Sequence, residues 1–458
     1  MKPLNKLPIK STRLVCFMAL ALSQTTLAAV SEQQAAQLGA TLTPIGAEKS
    51  GNSDASIPAW TGGLNAAPSG YINGSHMIDP YASDQPVAEI TAQNLEQYRD
   101  KLSPGQIGMF EHFPNTYRMK IYPTRRSASL PQSVYDNALY NATHAELVDN
   151  GNGLANYQGY IPFPIPENGL EVIWNHIARY RGMSSKRDIV QIITQRNGDY
   201  HIVKMNEEVV YPEQMEGMGD DGQNMLVFFK QSVTAPARLT GNVLLVHDTI
   251  NQVSEPRKAW IYNAGQRRVR RAPQVAYDGP GTSSDGLRTS DNFDMYNGAP
   301  DRYDWKLIGK QEMYIPYNNY RLASEDVKYD EIVQPGHMNP DLIRYELHRV
   351  WRVEATLKDG TRHIYGKRTF FLDEDSWQIS VVDHYDTRGA LWRVSEAYAM
   401  QVYYANVPMK AAESYYDLTN KRYLVIGLQN EEDTPTQYGH VAKMVDFTPA
   451  AIRRSGRR

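Results

Sequence analysis

Two stretches of the chain alternate apolar and polar side chains with the two-residue period of a β-strand. Tyr345, Leu347, Trp351, Val353, Ala355 and Leu357 fall on one face of the first, and Arg344, Glu346, His348, Arg352, Glu354 and Thr356 on the other. The second repeats the pattern with Trp392, Val394, Tyr398, Met400, Val402 and Tyr404, broken by Glu396. The expectation is one covered face and one wet face. Further strand-like runs cover residues 189–196 and 200–210, which flank Asn197-Gly198-Asp199, then 225–235, 241–250, 258–262, 267–271, 305–315, 362–372, 377–385 and 422–428. Long sequential strands joined by tight turns favour an antiparallel meander over βαβ units. About ten such strands curl, because a strongly twisted sheet rarely stays open beyond that number. The predicted fold class is therefore mainly β with helices (α+β): a half-closed antiparallel barrel around an apolar cavity. No fixed repeat supports a propeller.

The first 28 residues read as a cleaved secretory signal peptide. Lys2, Lys6, Lys10 and Arg13 precede the short apolar run Leu14 to Leu22, and Ala28 and Ala29 offer small residues for cleavage. The run is too short to cross a bilayer. Cys16, the single cysteine of 458 residues, lies inside it, after Val15 rather than a small residue, so neither lipidation nor a disulfide is expected. Losing four basic residues takes the formal charge from −3 to −7. A mildly acidic chain gives no electrostatic case for nucleic-acid binding. A periplasmic location follows as the expectation. Thirty tyrosines against ten phenylalanines suit surfaces that are apolar yet polar-tipped.

Residues 29–160 form a predicted loop- and helix-rich N-terminal extension, followed by the half-barrel over 161–430 and a tail over 431–458. A helix is predicted from Thr91 to Leu102, stopped by Ser103-Pro104-Gly105, and a longer one opens at Leu130-Pro131. Leu170, Ile173, Trp174 and Ile177 fit one face of a helix ending at Gly182, a candidate lid or plug. The stretch from Asp278 to Arg302 is long and rich in Gly, Pro, Asp and Ser, and reads as a functional or docking loop.

Catalytic motifs are scarce. There is no P-loop, no G-x-G-x-x-G after a strand, no H-E-x-x-H and no nucleophile elbow. Asp373-Glu374-Asp375 could collect a hard cation, but an acidic turn between strands reads better as solvated, and no metal is expected. Asp383 and His384 could serve a hydrolase, yet alternation puts them on opposite faces. Arg267, Arg268, Arg270 and Arg271 make a basic run with Arg on both faces of a hairpin arm. They are candidate contacts for a partner or an anionic headgroup, against the blander reading of pairing with the acids of the following loop. Arg349 interrupts an apolar face and calls for a buried ion pair or an aromatic stack.

Several strings resemble the exported bacterial family catalogued as domain of unknown function 1329: RKAWIYNAGQRRVRRAP (257–273), NGAPDRYDWKL (297–307), RYELHRVW (344–351) and DEDSW (373–377). The arginine hairpin departs by carrying Asn263-Ala264-Gly265 where the family pattern has Asn-Pro-Gly. That family is grouped with LolA/LolB-like carriers, which sort lipoproteins to the outer membrane of Gram-negative bacteria. The resemblance implies an incomplete antiparallel barrel with a helical plug, an RND-type transporter and an outer-membrane protein as partners, a lipid or hydrophobic cargo, and no catalytic residues. The functional expectation is a carrier or adaptor without cofactor, with Trp174, Trp260, Trp351, Trp392 and Tyr398 as candidate ligand contacts. The alternative is a non-catalytic docking protein with a filled barrel. A lipid or glycan hydrolase is the weakest reading.

Overall fold

The computed structural model describes residues 30–456 except 220–223, 274 and 276. The signal-peptide expectation lies outside the described residues. Thirteen strands make up most of one sheet: β1 (Ser184–Thr194), β2 (Tyr200–Val210), β3 (Met225–Ala235), β4 (Val243–Thr249), β5 (Lys258–Asn263), β6 (Arg268–Arg271), β7 (Tyr303–Pro316), β8 (Tyr345–Leu357), β9 (Lys367–Asp373), β10 (Ile379–Tyr385), β11 (Leu391–Val402), β12 (Val407–Asp417) and β13 (Arg422–Leu428). Their spatial order is β7-β8-β9-β10-β11-β12-β13-β1-β2-β3-β4-β5-β6, all antiparallel. Two meanders are thus spliced where Leu424 of β13 faces Ile193 of β1. Strands β7 and β6 are the two ends, so the sheet is open. No helix among the described residues is long and apolar enough to cross a membrane.

Three helices pack on this sheet, α1 (Pro104–His112), α3 (Gly169–Ile177) and α4 (Pro449–Ser455), and α2 (Gln132–His144) joins the cluster around α3 through Val134 and Ala138. Residues Val353, Ala355, Phe370, Leu372, Ile379 and Ala397 from one half of the sheet join Leu226 and Val227 from the other in a single cluster around Ile173, Trp174 and Ile177 of α3. Both halves meet the same helix, so the sheet curls about it; this side is the inner face. The outer face is covered as well. Met109 and Phe110 of α1 cover Met313, Ile315, Phe371, Val381 and Val394. Ile452 of α4 and Phe447 cover Phe228, Val243, Leu245 and Tyr262.

This corrects the expected wet face. Arg344, Glu346 and His348 are buried, because the N-terminal stretch lies over them. Arg344 bridges Glu346 (2.6 Å) and Asp84 (2.8 Å), and His348 Nε2 lies 3.1 Å from the second oxygen of Glu346. The N-terminal stretch is built into the same sheet: Met119–Ile121 pairs with Ala88–Ile90 and touches β8 at Tyr345.

Local signals were decided by context. Ser103-Pro104-Gly105 starts a helix rather than stopping one. The Ser103 hydroxyl accepts from the Gln106 amide, the Gln106 side chain accepts from the Ser103 amide, and Pro104 occupies the first turn, where a missing N–H costs nothing. The predicted helix before it is only two 3₁₀ turns, Leu95–Gln97 and Arg99–Lys101. Strand β12 carries Pro408, Lys410, Ala411, Ala412 and Glu413, residues of weak β-propensity, and its alternation is hidden.

The topology dictates one further feature. Strands β6 and β7 are consecutive in sequence yet lie at opposite ends of the sheet, so the chain between them must cross it. It crosses on the inner face. The expected docking loop is therefore a strap, buried almost continuously from Leu287 to Pro300. A buried irregular segment must find partners for its polar groups. Asp294 meets Arg179 at 2.6 Å, Arg181 at 2.5 Å and Lys410. Asp291 meets Arg368 at 2.9 Å and His363 at 3.1 Å. Burial alone would raise the Asp294 carboxyl, but Arg179, Lys410 and Arg181 outweigh it and hold the group well below the ordinary carboxylate range. Its stabilisation is present above the ordinary carboxylate pKa and is lost as pH falls. Asp294→Asn leaves Arg179 and Arg181 without a counter-ion, while Lys410 keeps Glu413. We expect it to lower stability by about 3–5 kcal/mol near neutral pH, measured by urea denaturation.

Candidate ligand-binding site

Between the strap and the inner face of β2, β3 and β4 lies a cavity of about 110 Å³. Its floor follows from strand register. Val209 faces Phe229, Phe229 faces Val246, and in the next row Gln231 faces Leu244. Period-two alternation sends these side chains to one side, where Leu226 and Val227 extend the apolar surface. The roof is the strap, with Val275, Phe293 and Tyr296, and Ile177 at the end of α3 closes one side. Phe293 packs on Phe229 with ring centroids 5.4 Å apart. The lining is predominantly apolar with a few polar groups, as in a site for a hydrophobic ligand.

Five charged side chains reach this cavity: Arg181, Asp248, Arg257, Arg288 and Asp294. Arg257 binds Asp248 through both carboxylate oxygens, at 3.0 and 2.7 Å, and also reaches the Asn297 side chain at 2.7 Å. Arg181 is held by Asp294, as above. Gln231 donates to Glu207 at 2.7 Å while its own carbonyl oxygen has no partner.

None of the five aromatic residues singled out in the sequence lines this cavity. Trp174 belongs to the core around α3, and its indole donates to the Gly151 carbonyl at 2.9 Å. Trp260 lies on the outer face of β5, edge-on to His247 at 5.0 Å. Trp351 stacks on Trp377 at 6.0 Å, and Trp392 donates to Asp417 at 3.0 Å. Tyr398 is fully buried and bonds Ser414 and Tyr416. The structure disperses them over different packing clusters. The lining residues missed by the sequence reading were visible only in part: Val209, Phe229, Leu244 and Val246 carry a strand period, but nothing local marks Phe293 or Arg288 in the strap.

Helix α3 is not a surface lid. All its residues but Leu170 are buried, and only Ile177 reaches the cavity. The arginine run occupies the end strand β6, where Arg267, Arg268, Arg270 and Arg271 are exposed. Their pairing with the following loop is overturned, because that loop turns its acids elsewhere: Asp285 to Arg422, Asp291 to Arg368, and Asp294 to Arg179, Arg181 and Lys410. The Arg271 guanidinium lies 5.9 Å above the Trp260 ring. Unpaired charge on an end strand also discourages edge-to-edge association.

The acidic turn Asp373-Glu374-Asp375 is buried, not solvated, at 0, 2 and 5% exposure. Arg126 binds Asp375 at 2.7 Å, Lys310 binds Glu374 at 2.8 Å, and Arg349 reaches Glu374 at 3.6 Å, the buried ion pair expected of it, and the partly exposed Glu48 at 3.3 Å. His348, Asp373 and Asp375 lie close enough to suggest a metal site. Their ligand atoms are already committed: His348 faces Glu346, Asp373 accepts from Ser376 at 2.6 Å and Tyr317 at 3.2 Å, and Asp375 holds Arg126.

Asp383 and His384 do point to opposite faces. His384 Nε2 lies 2.9 Å from Ser395 Oγ on the inner side, whereas Asp383 accepts from the Ser103 hydroxyl (2.8 Å) and the Gly105 amide (3.0 Å) at the start of α1. No acid–base relay links them. Burial pushes the Asp383 carboxyl up to about 7, against those two hydrogen bonds. A raised carboxyl pKa means that the folded state holds the proton more tightly. This contribution to stability is complete at low pH and declines as pH rises from the ordinary carboxylate value to about 7. The decline approaches about 1.4 kcal/mol per pH unit. In Asp383→Asn that slope is expected to be shallower than in wild type, measured by denaturation at several pH values across this window.

Matches to known proteins agree with the resemblance noted above. The model of the family described as protein of unknown function (DUF1329) matches residues 89–453, and the chain belongs to that family. The uncharacterized protein PA3922 of Pseudomonas aeruginosa is 57% identical over 436 residues, covering 95% of this chain and 96% of its own. Among solved structures, the putative outer membrane lipoprotein-sorting protein domain from Vibrio parahaemolyticus is 15% identical at a TM-score of 0.44, covering 62% of this chain and 98% of that one. A DUF1329 family protein from Desulfovibrio piger is 15% identical at a TM-score of 0.42, covering 59% and 92%. A LolA superfamily protein from Nitrosomonas europaea is 12% identical at 0.37, covering 62% and 98%.

Proposed function

We propose that this protein is a periplasmic, non-catalytic carrier or adaptor that binds a lipid or another hydrophobic molecule between its strap and sheet. The observation that carries the reading is the cavity itself, walled by Val209, Leu226, Phe229, Leu244, Val246 and Phe293 between strap and sheet. Burying an acyl or ring surface there supplies roughly 25 cal/mol for each Å² removed from water. Release then requires a surface that offers equivalent burial, which a membrane or a transporter does. The basic N-terminal segment with its short apolar run supports export to the periplasm. The protein's proposed partners, which load or unload it, are an RND-type transporter and an outer-membrane protein.

The test is direct. The purified protein is titrated with a fluorescent fatty-acid analogue beside Leu244→Trp, which fills the floor of the cavity. Wild type is expected to bind saturably and the variant to lose at least about tenfold in affinity, the scale set by excluding one buried chain segment. Equal binding by both places the ligand elsewhere, and no binding by wild type contradicts the carrier.

A second reading, a docking protein with a filled interior, is favoured by the exposed arginines of β6. Under it, the protein binds no fatty acid, and reversing Arg267, Arg268, Arg270 and Arg271 to Glu abolishes salt-sensitive binding to vesicles containing anionic lipid, measured by co-sedimentation.

A further inference from the structure

We propose that the occupant of the cavity is a single-chain amphiphile with a carboxylate head, and that Arg288 receives the head. This rests on the carrier reading and names its ligand class. The other four charges at the cavity have counter-ions: Arg257 pairs with Asp248, and Arg181 shares Asp294 with Arg179 and Lys410. Arg288 is the fifth. It is 4% exposed and forms no ion pair among the described residues, although the strap around it is rich in acids. Its one side-chain hydrogen bond runs from Nη1 to the Thr289 carbonyl at a long 3.4 Å, and its Nε has no partner. The guanidinium lies against Phe293 at 5.3 Å and Tyr415 at 6.0 Å. Such contacts orient the planar group but do not neutralise it.

A buried charge without a counter-ion is unfavourable, and an ionised ligand group placed against it supplies what the protein withholds. Guanidinium and carboxylate match as planar, two-pronged partners. Beside Arg288 the rows from Val209 to Val246 give an apolar track for a chain. A volume of about 110 Å³ is below the roughly 300 Å³ of a drug-sized pocket and admits a segment of one chain rather than two chains side by side. A neutral sterol or hydrocarbon would leave the arginine unpaired.

The experiment compares parinaric acid, a fluorescent unbranched chain, with its methyl ester, titrated into wild type, Arg288→Met and Arg288→Lys near neutral pH, with circular dichroism to check folding. Wild type is expected to bind the acid roughly tenfold or more tightly than the ester, the scale of a charge-assisted hydrogen bond. Arg288→Met is expected to remove that preference by weakening the acid alone, and Arg288→Lys to retain part of it. Equal affinity of wild type for acid and ester overturns the proposal while leaving the carrier intact. So does an acid preference that survives in a folded Arg288→Met. If wild type binds neither probe, the carrier reading falls together with the proposal. If Arg288→Met does not fold, the wild-type ratio still decides.

Discussion

The structure depends on one topological constraint: consecutive strands β6 and β7 sit at opposite ends of an open sheet. The thirty-one residues that join them, 272–302, have to traverse the inner face. Everything that follows is a consequence of putting an irregular, polar segment where a barrel would hold a dry core. The strap carries Asp291 and Asp294 inside with it, and the surrounding structure answers with Arg368, Arg179, Arg181 and Lys410. Removing any one of these leaves its partner charged and dehydrated, so the filling is held in one arrangement by mutual need. The cavity is the part of the inner face that the strap spans without filling.

The same constraint explains the tyrosines. Irregular segments covering both faces of a sheet present carbonyl groups that no ladder can satisfy. Tyr296 donates to the Ala299 carbonyl, Tyr303 to Tyr365, Tyr415 to Asn292 and Tyr320 to Gln401. A phenylalanine would fill the same space and leave those carbonyls dry. The composition suggested wet or exposed surfaces, but the hydroxyls are spent inside, on the backbone of the strap and of the segments that wrap the sheet.

Legibility in the sequence tracked the range of the interactions. The hairpin at Asn197-Gly198-Asp199 and the strands β8 and β11 are local, and they form where expected, although most residues on both faces of the two strands are covered. Strand β12 was hidden because Lys410 and Glu413 look solvent-facing until Asp294 arrives from the strap to pair with Lys410. Ser103-Pro104-Gly105 carries signals for either end of a helix, and the choice was made by Asp383, which accepts from both the Ser103 hydroxyl and the Gly105 amide. The acidic turn at Asp373 looked wet because its cations, Arg126 and Lys310, come from distant segments. The candidate site was the least legible. Its floor has the period of a strand, but its roof is set by a crossing that only the strand order reveals. The tryptophans drew attention by size and were used for packing instead.

The central claim is that the space between strap and sheet is the ligand site. Its most direct test is photolabelling of the intact protein with a diazirine-bearing fatty acid, followed by peptide mapping of the adducts. Adducts concentrated on β3, β4 and residues 275–297 are the expected result. Adducts concentrated around Trp351 or Trp392, or labelling that excess unlabelled fatty acid does not compete away, would contradict it.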